Sequence, residues 1–388
     1  MKYDFDSVIN RRDTDSVKWD VKDNELPMWV ADMDFKAAPE ILDAISIRLG
    51  HGVMGYPTLH DDWYDAYTGW WKNRHGFEMD KNALLFCTGV MPAISCMIRV
   101  FTGPGENVLI QPPVYTGFFN VIKGNGRRVS ENPLVYKDGR YEMDLEDLGR
   151  KMADPKTRLM ILCNPANPAG NIWEKAELKA IGELAKKHGV TVISDEIHCD
   201  ITVPGKSYNP FAGVSDVCAE TGIACISPTK AFNLAGLKTA AVYVSNKDLR
   251  DRVTEAFMAD ELFEPNSFAG TAAIAAFTKG EEWLDELLDY LSENRKTVDK
   301  FIREELPRVK LVTGEATYLL WLDVSGLGGD VSHFGEYLRE NTGLWLSPGF
   351  IFGEQGNNFL RMNIACPRSV LEEGLSRLKS GAGKWLLR

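Results

Sequence analysis

The sequence predicts an α/β protein, a large domain with a mainly parallel sheet covered by helices on both faces, plus a smaller C-terminal α+β domain. Three observations predict it. From about residue 80 to 245, short apolar runs alternate with amphipathic ones. Strands buried on both faces lose the in-and-out alternation of a half-exposed sheet and read as continuous apolar stretches. After them, residues 281–306 carry apolar side chains at helical spacing, and strand-like runs resume beyond. Finally, 388 residues with 44% hydrophobic and 26% charged content supply an ordinary core for a large domain with a smaller one attached.

The elements follow in order. The start, "MKYDFDSVINRRDTDSVKWD", is acidic and polar, so it cannot be the apolar core of a signal peptide. Residues 1–45 are expected to form an arm belonging to the small domain. The large domain should span 46–280. Its strands are read in "ALLFCTG", "NVLIQPP", "RLMILCNP", "VTVISDE", "GIACISP" and "TAAVYVS", with helices in "PAISCMIRVF" and "EKAELKAIGELAKKHG". The small domain, 281–388, opens with one long helix. Leu284, Leu287, Leu288, Leu291, Val298, Phe301 and Ile302 form its apolar stripe. "TYLLWLDV" and "NFLRMNIA" are its strands.

A formal net charge of -11 argues against nucleic acid and anionic membranes as partners. No apolar run approaches the roughly 18 residues a membrane span requires. A soluble cytoplasmic protein is expected. The seven cysteines show no CxxC spacing and most lie in apolar runs, which suits buried, reduced thiols. "DEIHCD" packs Asp195, Glu196, His198 and Asp200 together, but no second His/Cys cluster completes a metal site, so no metal is expected.

In an open α/β sheet the ligand sits beyond the carboxyl ends of the strands. Those ends supply a consistent set. Gly89 precedes a helix start near Pro92, a setting that favours phosphate. Tyr115 follows "VLIQPP" and offers a ring for stacking; Asn164 and Asn167 lie in "NPANPAG"; Asp195 ends "VTVIS". Ser227, Thr229 and Lys230 follow "IACI". Lysine serves as a nucleophile when desolvation or a neighbouring cation lowers its pKa. An anion cradle, a stacking ring, an amide, a carboxylate and an amine are what a Schiff base with a phosphorylated pyridine aldehyde requires.

The order and spacing of "NPANPAG", "SDEIH" and "SPTKAFN" resemble the fold-type-I pyridoxal-phosphate enzymes, the aminotransferase class I/II superfamily. The intervals are 28 residues from Asn167 to Asp195 and 35 from Asp195 to Lys230. "LPMWVADMDF", "GYP", "ISDEIHCD", "YLLWLD" and "PGFIFGEQGNNFLRMNIACPRS" resemble the MalY/PatB group of cystathionine β-lyases. The resemblance implies pyridoxal 5'-phosphate as cofactor, with Lys230 forming the Schiff base and shuttling the proton. It implies that Asp195 keeps the ring nitrogen protonated, Asn167 bonds the phenolic oxygen, Tyr115 stacks on the ring and His198 supports the Asp195 region. Gly89, Val90, Ser227 and Thr229 would face the phosphate. Arg361 would clamp the substrate carboxylate, with Trp29 and Asn167 also at the substrate. Tyr56 would reach the neighbouring subunit's phosphate, which implies a homodimer with shared sites; it joins Lys230 and Tyr115 among the catalytic residues. One departure stands out. Many aminotransferases carry an arginine eight residues after the lysine, whereas this chain has Lys238. The implied reaction is α,β-elimination of L-cystathionine or related cysteine thioethers to a thiol, pyruvate and ammonia. The alternatives are an aminotransferase on the same scaffold and an added regulatory role through protein binding.

Overall fold

The computed structural model describes residues 2–388. Its centre is a seven-stranded sheet in the order Leu84–Cys87, Ala240–Tyr243, Gly222–Ile226, Thr191–Asp195, Thr157–Cys163, Asn107–Ile110, Arg128–Glu131. Every pairing is parallel except those of Ala240–Tyr243, which runs antiparallel to both neighbours. The strands Leu84–Cys87, Asn107–Ile110, Thr157–Cys163, Thr191–Asp195 and Gly222–Ile226 therefore all end at one edge. Thr191–Asp195 and Gly222–Ile226 are buried almost throughout, which is why neither shows the in-and-out alternation of a half-exposed strand.

The edge strand opposite Leu84–Cys87 carries no apolar signal in the sequence. Arg128–Glu131 is partly exposed and reads "RVSE"; it pairs on one side only, where polar residues are tolerated. A small hairpin, Val135–Lys137 with Arg140–Glu142, turns at Asp138 and Gly139. Both turn residues have positive φ, 51° and 82°, as a two-residue hairpin turn demands.

The helix expected near Pro92 starts two residues earlier, at Val90, and runs to Phe101. Proline fits its first turn because the amides there have no partner inside the helix. Glu281–Glu305 is the long helix, burying Trp283, Leu284, Leu287, Leu291, Val298 and Ile302 on one face. It leads into an antiparallel sheet ordered Lys310–Leu311, Leu319–Asp323, Phe359–Asn363, Ser347–Pro348. Leu26–Pro27 pairs in parallel with Leu344–Trp345, which joins the start of the chain to its last quarter. All seven cysteines are free and buried. Among the described residues, no helix is long and apolar enough to cross a membrane.

Candidate active site

The connection from Ile226 to Ala240 carries the lysine. Ser227 Oγ donates to the Thr239 carbonyl (2.7 Å), accepts from the Thr229 amide (3.1 Å) and bonds Thr229 Oγ1 (2.7 Å). This knot sets the turn from which Lys230 projects. Lys230 Nζ donates to the Ala31 carbonyl at 2.6 Å. Burial draws its pKa down from 10.5 to about 8, helped by the Arg361 and Lys238 cations and opposed by Asp32 and Asp195. The amine is thus partly neutral near pH 8, as a nucleophile or proton acceptor must be.

Asp195 ends its strand only 5% exposed, accepting one bond from the Ile197 amide at 3.2 Å. Burial pushes its carboxyl up from 3.8 to about 7, and that amide opposes the rise. A cation placed against it would restore the charged form. His198 is also buried, and its Nδ1 has no hydrogen-bond partner. Burial, Lys230 and Arg361 pull its pKa down to about 3, so it is a neutral imidazole. The other acids of "DEIHCD" face elsewhere. Glu196 accepts from Ser194, Tyr208 and the Phe211 amide, and Asp200 accepts from Trp70 and pairs with His75.

Arg361 comes from the strand Phe359–Asn363 and is 6% exposed. Its guanidinium donates to Asn167 Oδ1 (3.0 Å) and the Trp29 carbonyl (2.9 Å), and lies 4.8 Å from the Phe352 ring. Its Nε has no partner, and no carboxylate of the described residues pairs with it. Burial lowers its pKa to about 10. A buried cation without an anion is costly, so this arrangement suits an incoming carboxylate. Since Asn167 spends its oxygen on Arg361, its amide N–H groups remain for another acceptor.

Tyr115 sits just before the helix Thr116–Gly124 and folds back over Gly117, where a Cβ would run into its ring. Gly89 precedes the helix Val90–Phe101 with φ of 146°, a conformation glycine adopts readily. That helix has no side-chain cap, leaving its first amides free for an anion. Lys238 is exposed, with φ of 51°, yet close enough to act on Lys230.

Two expected residues sit differently from this cluster. Tyr56 is 98% exposed, on the irregular stretch between the helices Pro39–Gly50 and Asp61–His75, beside a cavity of about 510 Å³ lined by Pro57, Leu59, Tyr64 and Phe263. Trp29 touches Arg361 through its carbonyl, while its ring stacks on Trp345 at 4.5 Å. Conversely, sequence reasoning missed the Ala31 carbonyl and Tyr318, whose hydroxyl donates to it at 3.0 Å. A backbone acceptor leaves no residue-type signal. Tyr318 lies inside a run read only as a strand.

The residues present fit pyridoxal phosphate. An uncapped helix with two hydroxyls suits the phosphate, and a buried carboxylate bonded to no cation suits a pyridinium. A depressed lysine suits the aldehyde. Over 383 residues the chain is 42% identical to "Cystathionine beta-lyase PatB" of Bacillus subtilis, covering 97% of this chain and 99% of that one. It is 34% identical to "Protein MalY" of Escherichia coli, covering 97% and 98%. Cystalysin from Treponema denticola, solved with pyridoxal 5'-phosphate, superposes with a TM-score of 0.95 at 31% identity, covering 99% and 100%. Residues 25–378 match the family described as "Aminotransferase class I and II", and the chain belongs to that family.

Proposed function

We propose that the protein is a pyridoxal-phosphate-dependent carbon–sulfur β-lyase acting on L-cystathionine or related cysteine thioethers. The observation that carries the reading is the buried, anion-free Arg361 sharing one site with a depressed Lys230 and a desolvated Asp195. Kinship with PatB over nearly the whole chain favours elimination over transamination.

When bound, pyridoxal phosphate supplies an aldehyde for amino groups and a protonated ring that takes up the electron pair released at Cα. Arg361 receives the substrate carboxylate, and Asn167 keeps the guanidinium plane oriented. Asp195 holds a proton at the ring nitrogen, which in turn keeps the carboxylate charged. Tyr115 would flank the ring, while Gly89, Val90, Ser227, Thr229 and Lys238 would hold the phosphate. Lys230, with its amine free and neutral, would take the Cα proton on its lone pair. The Cβ–S bond then breaks and the sulfur leaves as thiolate, to which Lys230 can return the proton taken from Cα. Uptake of one water turns the three-carbon remainder into pyruvate and ammonia. From L-cystathionine the thiol is homocysteine.

The same reading makes the enzyme a homodimer in which Tyr56 of one protomer serves its partner's phosphate. An almost wholly exposed tyrosine, near exposed Ile47, Leu49, Val53 and Met54, supports it. The test of the reaction is direct. Enzyme mixed with L-cystathionine and no keto acid should release pyruvate over many turnovers. Turnover that depends on an added keto acid would make it an aminotransferase instead.

A further inference from the structure

The irregular stretch Trp29–Asp34 runs as a strap across the active-site cations. Side chains claim each of its carbonyls from Trp29 to Met33. Arg361 donates to that of Trp29, Asn363 to those of Val30 and Asp32, Lys230 to that of Ala31, and Asn233 to that of Met33. Behind the strap lies a charge cluster from the N-terminal arm. Lys18, 1% exposed, donates to Asp34 Oδ2 at 2.7 Å and to the Asp32 carbonyl at 3.3 Å. Arg11 bonds Asp34 Oδ1 (2.8 Å), Asp32 Oδ2 (2.9 Å) and the Met33 carbonyl (3.0 Å), and the Trp19 indole donates to Asp34 Oδ1 (2.8 Å). Two cations meet two carboxylates, so the cluster is neutral and Asp34 is saturated with donors. Lys18 and Asp34 are buried and Arg11 and Asp32 partly so, and such a network holds backbone in one place, because displacing Lys18 strands the buried Asp34 charge.

We infer that Arg11 and Lys18 are positioning residues that hold the Ala31 carbonyl as the receiving point for the Lys230 amine while substrate occupies the cofactor. The inference rests on the proposed role of Lys230. An amine bonded to the cofactor has given up the N–H groups that a free amine offers. Released, the neutral amine donates one N–H to Ala31 and keeps its lone pair, which is the part that takes the Cα proton. The Ala31 carbonyl has a second donor, the Tyr318 hydroxyl at 3.0 Å. That hydroxyl keeps the carbonyl satisfied when the lysine leaves it. Strap and lysine therefore form a linked pair: whatever strengthens the Ala31–Lys230 bond favours the substrate-bound form, and whatever moves Ala31 disfavours it.

The linkage predicts opposite signs for two variants, which loss of structure alone does not. The probe is L-alanine, which has no leaving group at Cβ, so proton removal is seen without elimination. Cofactor-loaded enzyme is titrated with L-alanine by cofactor absorbance, and exchange of the Cα proton in D2O is followed by NMR per loaded site. Tyr318→Phe leaves Ala31 dependent on Lys230 and should tighten apparent L-alanine binding by about two- to tenfold, the range set by one hydrogen bond. Lys18→Met loosens the strap; it should weaken L-alanine binding and slow exchange per loaded site about tenfold or more. Lys230→Ala serves as the control. If that variant still exchanges the proton, the proposed role of Lys230 falls. If it does not, yet Tyr318→Phe leaves binding unchanged or weaker, the inference about the strap is overturned and the role of Lys230 stands. Exchange at the wild-type rate in Lys18→Met overturns it equally, and should Lys18→Met not fold, Tyr318→Phe decides.

Discussion

Replacing Asp195 with asparagine should stabilise the cofactor-free protein while crippling the enzyme. The carboxylate is buried with one amide donor, and its pKa stands at about 7 against an ordinary 3.8. Each tenfold change in proton affinity is about 1.4 kcal/mol, so keeping this group ionised costs the folded state about 4 kcal/mol. The sign follows from linkage. A carboxyl raised on folding leaves stability intact below its ordinary value, and that stability is lost as pH climbs through about 7. The asparagine side chain would carry no charge and could still accept from the Ile197 amide. Lys230 titrates near 8, so the comparison belongs at pH 9, where its amine is largely neutral in both proteins. Unfolding entropy of about 2.1 cal/mol/K per residue makes 4 kcal/mol worth about 5 °C in Tm for a chain of this length. Calorimetry of the two cofactor-free proteins at pH 9 should therefore show Asp195→Asn melting about 5 °C higher, with the gap closing at pH 4. Adding cofactor should reverse the order, because only the aspartate gains a cationic partner. A gap that is absent at pH 9, or that persists at pH 4, would refute the claim that this carboxylate is desolvated and waiting for a cation.

Other outcomes follow from the same site. Arg361→Lys keeps the charge but cannot span Asn167 and Trp29 with one planar group; KM for the amino acid should rise by about 1–3 kcal/mol equivalent, checked by steady-state kinetics. Gly117→Ala puts a methyl where the Tyr115 ring lies, so cofactor affinity should drop about tenfold or more in an equilibrium titration, while an unchanged affinity would remove Tyr115 from the ring face. Tyr56→Phe (or the harsher Tyr56→Asp) and Lys230→Ala, each inactive alone, should regain part of the activity when mixed and reassociated. Mixed dimers that form and stay inactive would confine Tyr56 to its own subunit.

The strands flanking the site were legible because burial on both faces writes itself as apolar runs, as in Thr191–Asp195 and Gly222–Ile226. Arg128–Glu131 was not, since this edge strand is partly exposed, whereas the opposite edge, Leu84–Cys87, is mostly buried and still reads as apolar. Lys230, Asp195 and Asn167 stood out through their places at strand ends and their spacing. What stayed hidden depends on approach between distant segments. The Asn167–Arg361 bond spans 194 residues and the Ala31–Lys230 bond 199, and neither leaves a local pattern. The orphaned His198 Nδ1 is likewise a property of its surroundings.

The one strand that runs against its neighbours has a mechanical consequence. Elsewhere in the central sheet a parallel step needs a long crossover, but Gly222–Ile226 and Ala240–Tyr243 lie side by side in opposite senses. Lys230 is therefore borne on a loop whose two feet are stitched to each other and, through Ala240–Tyr243, to Leu84–Cys87, the strand leading to Gly89. Such a mount has little freedom to translate. On the proposed role of Lys230, the travel between bonding a cofactor and receiving a proton would fall to the four methylenes of the side chain, and the tether's length would set how far apart those two stations can stand.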